Sequence, residues 1–157
     1  MKLNAKEDIE APLEEVFANL CDFESFERAA LRRGAEVVRA DQPRMEGVGQ
    51  SWRAMFDYRG KKRVVMIRLT QMDAPNMLEF NGISATLDGL MRVDLVALSR
   101  RRTRLNVSTE VTAKTLASRI FLQSLKLARG RISDRFARRV RTLAISIEDR
   151  LRKPTLG

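Results

Sequence analysis

Apolar and polar side chains alternate from the start of the chain, with Leu3, Ala5 and Ile9 on one side and Lys2, Asn4, Lys6, Asp8 and Glu10 on the other. This two-residue period predicts a half-buried strand over residues 2–10. Pro12 comes next, where a helix start tolerates it because that N–H would be unpaired anyway. Glu14 and Glu15 suit the first turn of a short helix whose apolar stripe is Val16, Phe17 and Leu20. A second short helix is predicted from about Phe23 to Arg32, with Gly34 as its stop.

The period then returns to two. Strands are predicted over 35–41, 50–58, 62–72, 77–84, 86–98 and 102–112, separated by Pro43 with Gly47 and Gly49, by Arg59-Gly60, by Ala74-Pro75-Asn76 and by the run Arg100-Arg101-Arg102. Connections this short cannot hold crossover helices, so the strands are expected to form an antiparallel meander. Trp52, Ala54, Phe56 and Tyr58 alternate with Ser51, Arg53, Met55 and Asp57, while Val65, Ile67 and Leu69, then Met91, Val93 and Leu95, then Leu105, Val107 and Val111 continue the apolar side. The other side carries Arg68, Arg92, Asp94, Arg104, Asn106 and Glu110, so one face of the sheet is expected to be wet.

The cover for the dry face is expected from the C-terminus. Phe121, Leu125, Ala128, Ile132, Phe136, Val140, Leu143, Ile147 and Leu151 recur every three or four residues, a single helical stripe with Arg131, Asp134, Arg135, Arg138 and Arg141 off it. A straight helix over 115–151 would be about 55 Å long, against about 40 Å for the width of a compact domain of this size. The helix must overhang or bend, and Gly130 is the expected place to bend. Residues 115–128 are apolar around most of the helix, with Arg119, Gln123, Ser124 and Lys126 on a narrow polar face. That pattern fits burial on two sides or a dimer contact, and alternatively a membrane interface or a lid.

Composition changes the picture mainly by subtraction. A chain of 157 residues is expected to be one domain over 1–157. It contains no histidine, which excludes a Ser-His-Asp triad, imidazole acid/base catalysis and a histidine zinc pair. The lone Cys21 cannot close an intrachain disulfide, which fits a reducing compartment. No metal and no cofactor is expected. The opening residues lack an apolar leader core and no window approaches ~18 uninterrupted apolar residues, so a soluble, cytoplasmic protein is expected. The net charge of +10 is uneven: residues 1–27 carry two basic side chains against eight acidic, residues 114–157 twelve against three. Such a distribution suits an anionic partner on one side of the molecule, or simply a solvated basic surface.

The order strand, two short helices, six-stranded meander, long C-terminal helix is carried by recognisable pieces. Ile9-Glu10-Ala11-Pro12-Leu13-Glu14-Glu15-Val16-Phe17, Leu20-Cys21-Asp22-Phe23-Glu24-Ser25-Phe26, Gly47-Val48-Gly49, Ala74-Pro75 with Leu78, and Thr103-Arg104-Leu105 follow one another in that order. In these pieces the chain resembles the START-like superfamily, which includes polyketide cyclases, the birch-pollen allergen type and lipid-transfer proteins. It departs from that pattern where Arg101-Arg102 stand in place of a glycine before Thr103, and where no proline follows Phe26. The resemblance implies an α+β helix-grip fold: a curved antiparallel sheet of about seven strands around a long C-terminal helix, with a cavity for an apolar molecule between them. The superfamily hosts binding proteins and enzymes alike, so the fold does not choose a function.

The candidate ligand-binding residues are Trp52, Phe56, Tyr58, Ile67, Phe80, Met91, Val93, Val107, Phe121, Leu125 and Arg129. Arg129 faces inward if the helix runs unbroken, where it would hold a carboxylate or phosphate; a bend turns it out. The first expected function is binding or transport of a hydrophobic small molecule (lipid, quinone or polyketide-like), with transient docking on an anionic membrane. The second is a cyclase or dehydratase acting on such a ligand, for which the apolar face offers Tyr58 but no carboxylate pair and so no assigned catalytic residue. The third is a nucleic-acid or ribosome-associated module resting on the arginine runs, which lack aromatic companions for base stacking. A homodimer is the remaining partner class.

Overall fold

The structure is a computed structural model describing residues 1–152. Its strands are β1 (Lys2–Ile9), β2 (Glu36–Arg39), β3 (Ser51–Tyr58), β4 (Lys61–Asp73), β5 (Met77–Ile83), β6 (Leu87–Ser99) and β7 (Arg102–Ala113). The helices are α1 (Leu13–Leu20), α2 (Phe23–Arg32), α3 (Leu116–Lys126) and α4 (Arg129–Arg152). The strands form one seven-stranded antiparallel sheet in the order β1-β7-β6-β5-β4-β3-β2. β1 and β2 are therefore opposite edges, and α1 and α2 carry the chain from one to the other. With the long C-terminal α4 against the sheet, this is the α+β helix-grip architecture.

The two-residue turn between β3 and β4 holds Arg59 at φ 51° and Gly60 at φ 74°. Positive φ at both positions gives a turn whose twist matches the strands it joins. Register slips at Leu69/Gln71 and Ala97/Ser99 interrupt the ladders, and such bulges bend a strand and increase its twist. Cross-strand pairing puts Ala5 opposite Val107, Val107 opposite Val93, Val93 opposite Leu78, and Trp52 opposite Ile67 on one face. The opposite face presents Arg53, Arg68, Arg92 and Arg104 to solvent.

Along β1 and β7 the core is a closed packing of Ile9, Leu105 and Ile147 with Val16 of α1, all essentially buried. Helix α4 supplies Val140, Ala144 and Ile147, spaced four and three residues apart so that one stripe meets the sheet. Thr103 is fully buried and its hydroxyl donates to the Ala11 carbonyl at 2.8 Å, which satisfies the one polar group there. Arg102, just before it, reaches Asp8 of β1 at 3.2 Å and Glu10 just beyond that strand at 3.3 Å.

The C-terminal stripe does not run as one helix. Helix α3 has its own cap, with Thr115 Oγ1 accepting from the Ser118 amide and Ser118 Oγ accepting from the Thr115 amide. It ends where Leu127 N–H donates to the Ser124 carbonyl and Ala128 N–H to the Leu125 carbonyl, a tightened i to i−3 turn. The break thus falls at Leu127–Ala128, ahead of Gly130, which lies inside α4 in ordinary helical surroundings.

Candidate functional site

Towards β3, β4 and β5 the concave face is not filled. A cavity of about 320 Å³ lies there, near the lower end of the usual size for a small-molecule site. Its floor is Trp52, Ile67, Leu78, Phe80, Met91, Val93 and Val107 of the sheet; its roof is Phe23, Phe26, Glu27 and Ala30 of α2, and Leu20 of α1, Val37 of β2 and Leu143 of α4 complete the lining. The rings of Phe23, Trp52 and Phe80 meet edge to face or tilted, with centroids 5.1 to 6.3 Å apart. Such contacts fix ring orientation beyond simple burial.

Helix α2 positions its share because Phe23, Phe26, Glu27 and Ala30 stand at i, i+3, i+4 and i+7, one face of a helix. The Asp22 side chain caps that helix by accepting from the Ser25 amide. Glu27 is the one charged side chain among the lining residues. Its Oε1 accepts from Trp52 Nε1 at 3.1 Å, which ties the carboxylate to the sheet and satisfies the buried indole. No described residue donates to Oε2. Outside the α2–β2 seam lies an open groove carrying Glu24, Arg28, Glu36, Arg39 and Arg44; Glu27 and Val37 border both hollows.

A buttress stands behind Trp52. The Arg39 guanidinium lies 5.5 Å from the indole centroid and is held by Asp41 through Nε at 2.7 Å and Nη2 at 2.6 Å. Asp41 also accepts from the backbone amides of Met45 and Ser51. Arg39 first, and these amides after it, outweigh desolvation and hold the Asp41 carboxyl far below the usual carboxylate range. A folded-state pKa lowered in this way adds stability that is fully present above the unfolded value near 4 and is lost as pH falls further, towards the folded value. Unfolding midpoints measured from about pH 5 down to pH 2 are expected to fall more steeply for the wild type than for Asp41→Asn; parallel curves would show that Asp41 is not the group responsible. Burial pushes the pKa of the Cys21 thiol up, which disfavours its reactive thiolate form.

Of the eleven residues proposed from sequence, the cavity gathers Trp52, Ile67, Phe80, Met91, Val93 and Val107. The other five do not line it. Phe56 is further along β3, half-buried opposite Arg63. Tyr58 is exposed beside the hairpin turn, and the Arg59 guanidinium lies between its ring, at 5.5 Å, and that of Phe121, at 5.1 Å. Leu125 is half-buried on α3. Arg129 is exposed, because the break at Leu127–Ala128 starts a new helix just before it and ends the geometry that would have turned it inward. Sequence reasoning missed Phe23, Phe26, Glu27 and Ala30, although their helical spacing was readable.

No protein-family model matches the chain, and no curated protein matches it. Solved structures do. The chain is similar to the ZhuI aromatase/cyclase of Streptomyces sp. R1128, with 15% identity, 97% of this chain and 96% of that one covered, and a TM-score of 0.68. It is similar to a protein of Thermus thermophilus at 18% identity, 94% and 97% coverage and a TM-score of 0.64. A START superfamily protein of Mycobacterium smegmatis matches at 14% identity, 85% and 95% coverage and a TM-score of 0.54. Likeness at these identities speaks for architecture, and with the sheet, the two short helices and α4 in that arrangement, the chain has the START-like helix-grip fold.

Proposed function

We propose that this protein binds a hydrophobic small molecule in the cavity between the sheet and helices α2 and α4, and that Glu27 orients it. The observation that carries this reading is an apolar, aromatic-walled hollow with a single tethered carboxylate at its border. Apolar walls reward burial of an apolar body, and one polar group sets its direction. Glu27 borders the outer groove as well, where the Arg39 guanidinium feels its charge, and it favours a ligand whose end at that border bears a hydrogen-bond donor. Native mass spectrometry of gently purified protein is expected to show a small-molecule adduct that organic solvent removes. A bare chain, combined with no change in Trp52 fluorescence on adding apolar probes, would count decisively against the reading.

The second reading, a cyclase or dehydratase, gains one specific observation. The Glu27 carboxylate at the cavity's border is a candidate acid/base group that the apolar strands do not provide, and one of the similar structures is an aromatase/cyclase. On this reading Glu27→Gln keeps ligand affinity and loses turnover; on the binding reading it changes only which ligands are held.

A further inference from the structure

Helix α3 turns an apolar stripe to solvent. Leu116, Ile120 and Leu127 are 74%, 59% and 93% exposed. At about 100° per residue they fall within about 40° of one another around the helix, and Leu127 keeps helical dihedrals (φ −67°, ψ −25°), so the stripe continues to it. The buried side of the same helix is already supplied by Ser118 and the half-buried Phe121, Leu122 and Leu125. The three exposed side chains therefore do nothing for the packing of this domain.

The charge around the stripe has one sign. Between Glu110 and Asp134 the chain contains Lys114, Arg119, Lys126, Arg129 and Arg131 and no acidic residue. Lys114 pairs with Asp88; the other four make no ion pair with a described residue. The turn that leans on α3 through Phe121 adds Arg59, with Lys61 and Lys62 following it. A second copy of this face would bring cation against cation. An apolar stripe bordered by cations instead matches a surface that is apolar within and anionic at its rim.

We propose that the α3 face docks on an anionic lipid bilayer, with Leu116, Ile120 and Leu127 entering the headgroup–acyl boundary and Arg119, Lys126, Arg129 and Arg131 meeting lipid phosphates and carboxylates. The helix lies on the surface and does not cross it; no helix among the described residues is long and apolar enough to span a membrane.

The test is co-sedimentation with vesicles of 7:3 phosphatidylcholine and phosphatidylserine, roughly the anionic content that attracts basic segments, alongside vesicles of phosphatidylcholine alone. The full chain is compared with Leu116→Ser/Ile120→Ser/Leu127→Ser and with Arg119→Gln/Lys126→Gln. Binding to the anionic vesicles is expected at low salt, with little to phosphatidylcholine. The triple variant loses binding by about a hundredfold or more, the double variant by about tenfold or more, and added salt weakens what remains. All of these substitutions fall outside the buried core, so unchanged thermal midpoints verify that each variant is folded. Absence of binding at low salt overturns the proposal, as does binding that the triple variant retains. A dimer in sedimentation equilibrium that the triple variant dissociates, without vesicle binding, overturns it in favour of an interface between two copies.

Discussion

Replacing Leu105 by alanine is expected to lower the unfolding free energy by about 3–4 kcal/mol. The side chain is fully buried on β7, paired with Leu95 of β6 and Glu7 of β1 and belonging to the same closed packing as Ile9 and Ile147. Its removal forfeits the transfer energy of the lost carbons and leaves a hollow that neighbours on a hydrogen-bonded sheet cannot collapse into. Against a total of about 5–15 kcal/mol for an ordinary domain, that is a large share. In a chain of this length it corresponds to a fall of roughly 10 °C in Tm. The control is Leu116→Ala on α3, where a side chain of the same type is mostly exposed and the change should stay within about 0.5 kcal/mol. Urea titrations with unchanged m-values measure both. A Leu105→Ala loss below about 1.5 kcal/mol would mean that the β1–β7 side of the sheet is looser than its burial indicates.

The contrast between those two leucines shows what sequence periodicity can and cannot resolve. Strand periods of two are local, and the structure places every predicted strand within two residues of its expected bounds at each end. Helix α2 matches its expected span, Phe23–Arg32, because a glycine stop is a local signal too. Where the helical stripe of 121–151 breaks is a different matter. Apolar residues continue at helical spacing straight through it, and the tightened turn at Leu127–Ala128 contains neither glycine nor proline, so the visible glycine two residues later attracted the prediction. Assigning all the cover of the dry face to the C-terminus had a second consequence. Helix α4 lies along β1, whereas the Trp52 side is roofed by α2, and in the sequence Glu27 is one of eight acidic residues in the first 27. Its position four residues after Phe23 and three before Ala30 was the overlooked sign, since a carboxylate on an apolar helix face needs a partner, which here is the Trp52 indole. Which members of an apolar sheet face surround an empty space, as opposed to each other, depends on how far the helices stand off the sheet, and no short spacing encodes that distance.

Ala30→Phe is expected to push ligand affinity and stability in opposite directions. Ala30 lies on the roof of the cavity, one turn beyond Glu27, with open volume in front of it. A phenyl ring placed there among Phe23, Phe26 and Phe80 occupies space that a ligand needs, a substantial share of the 320 Å³ in all. Affinity for any apolar ligand held in this hollow should fall by about a hundredfold or more, since both volume and apolar contact are lost to the competitor. The same ring supplies contacts that the empty protein lacks, and filling a cavity typically raises stability by about 0.5–2 kcal/mol. A variant that binds nothing because it is damaged would melt earlier; this one should melt later. Calorimetric titration of the ligand identified by mass spectrometry, together with the Tm of the ligand-free protein, measures the pair of effects. Undiminished affinity in a variant of raised Tm would place the binding site elsewhere, while lost affinity with a lowered Tm would mean that the ring does not fit and that α2 has been pushed off the sheet. Only lost affinity combined with a stabilised fold follows from a ligand seated between α2 and the Trp52 face.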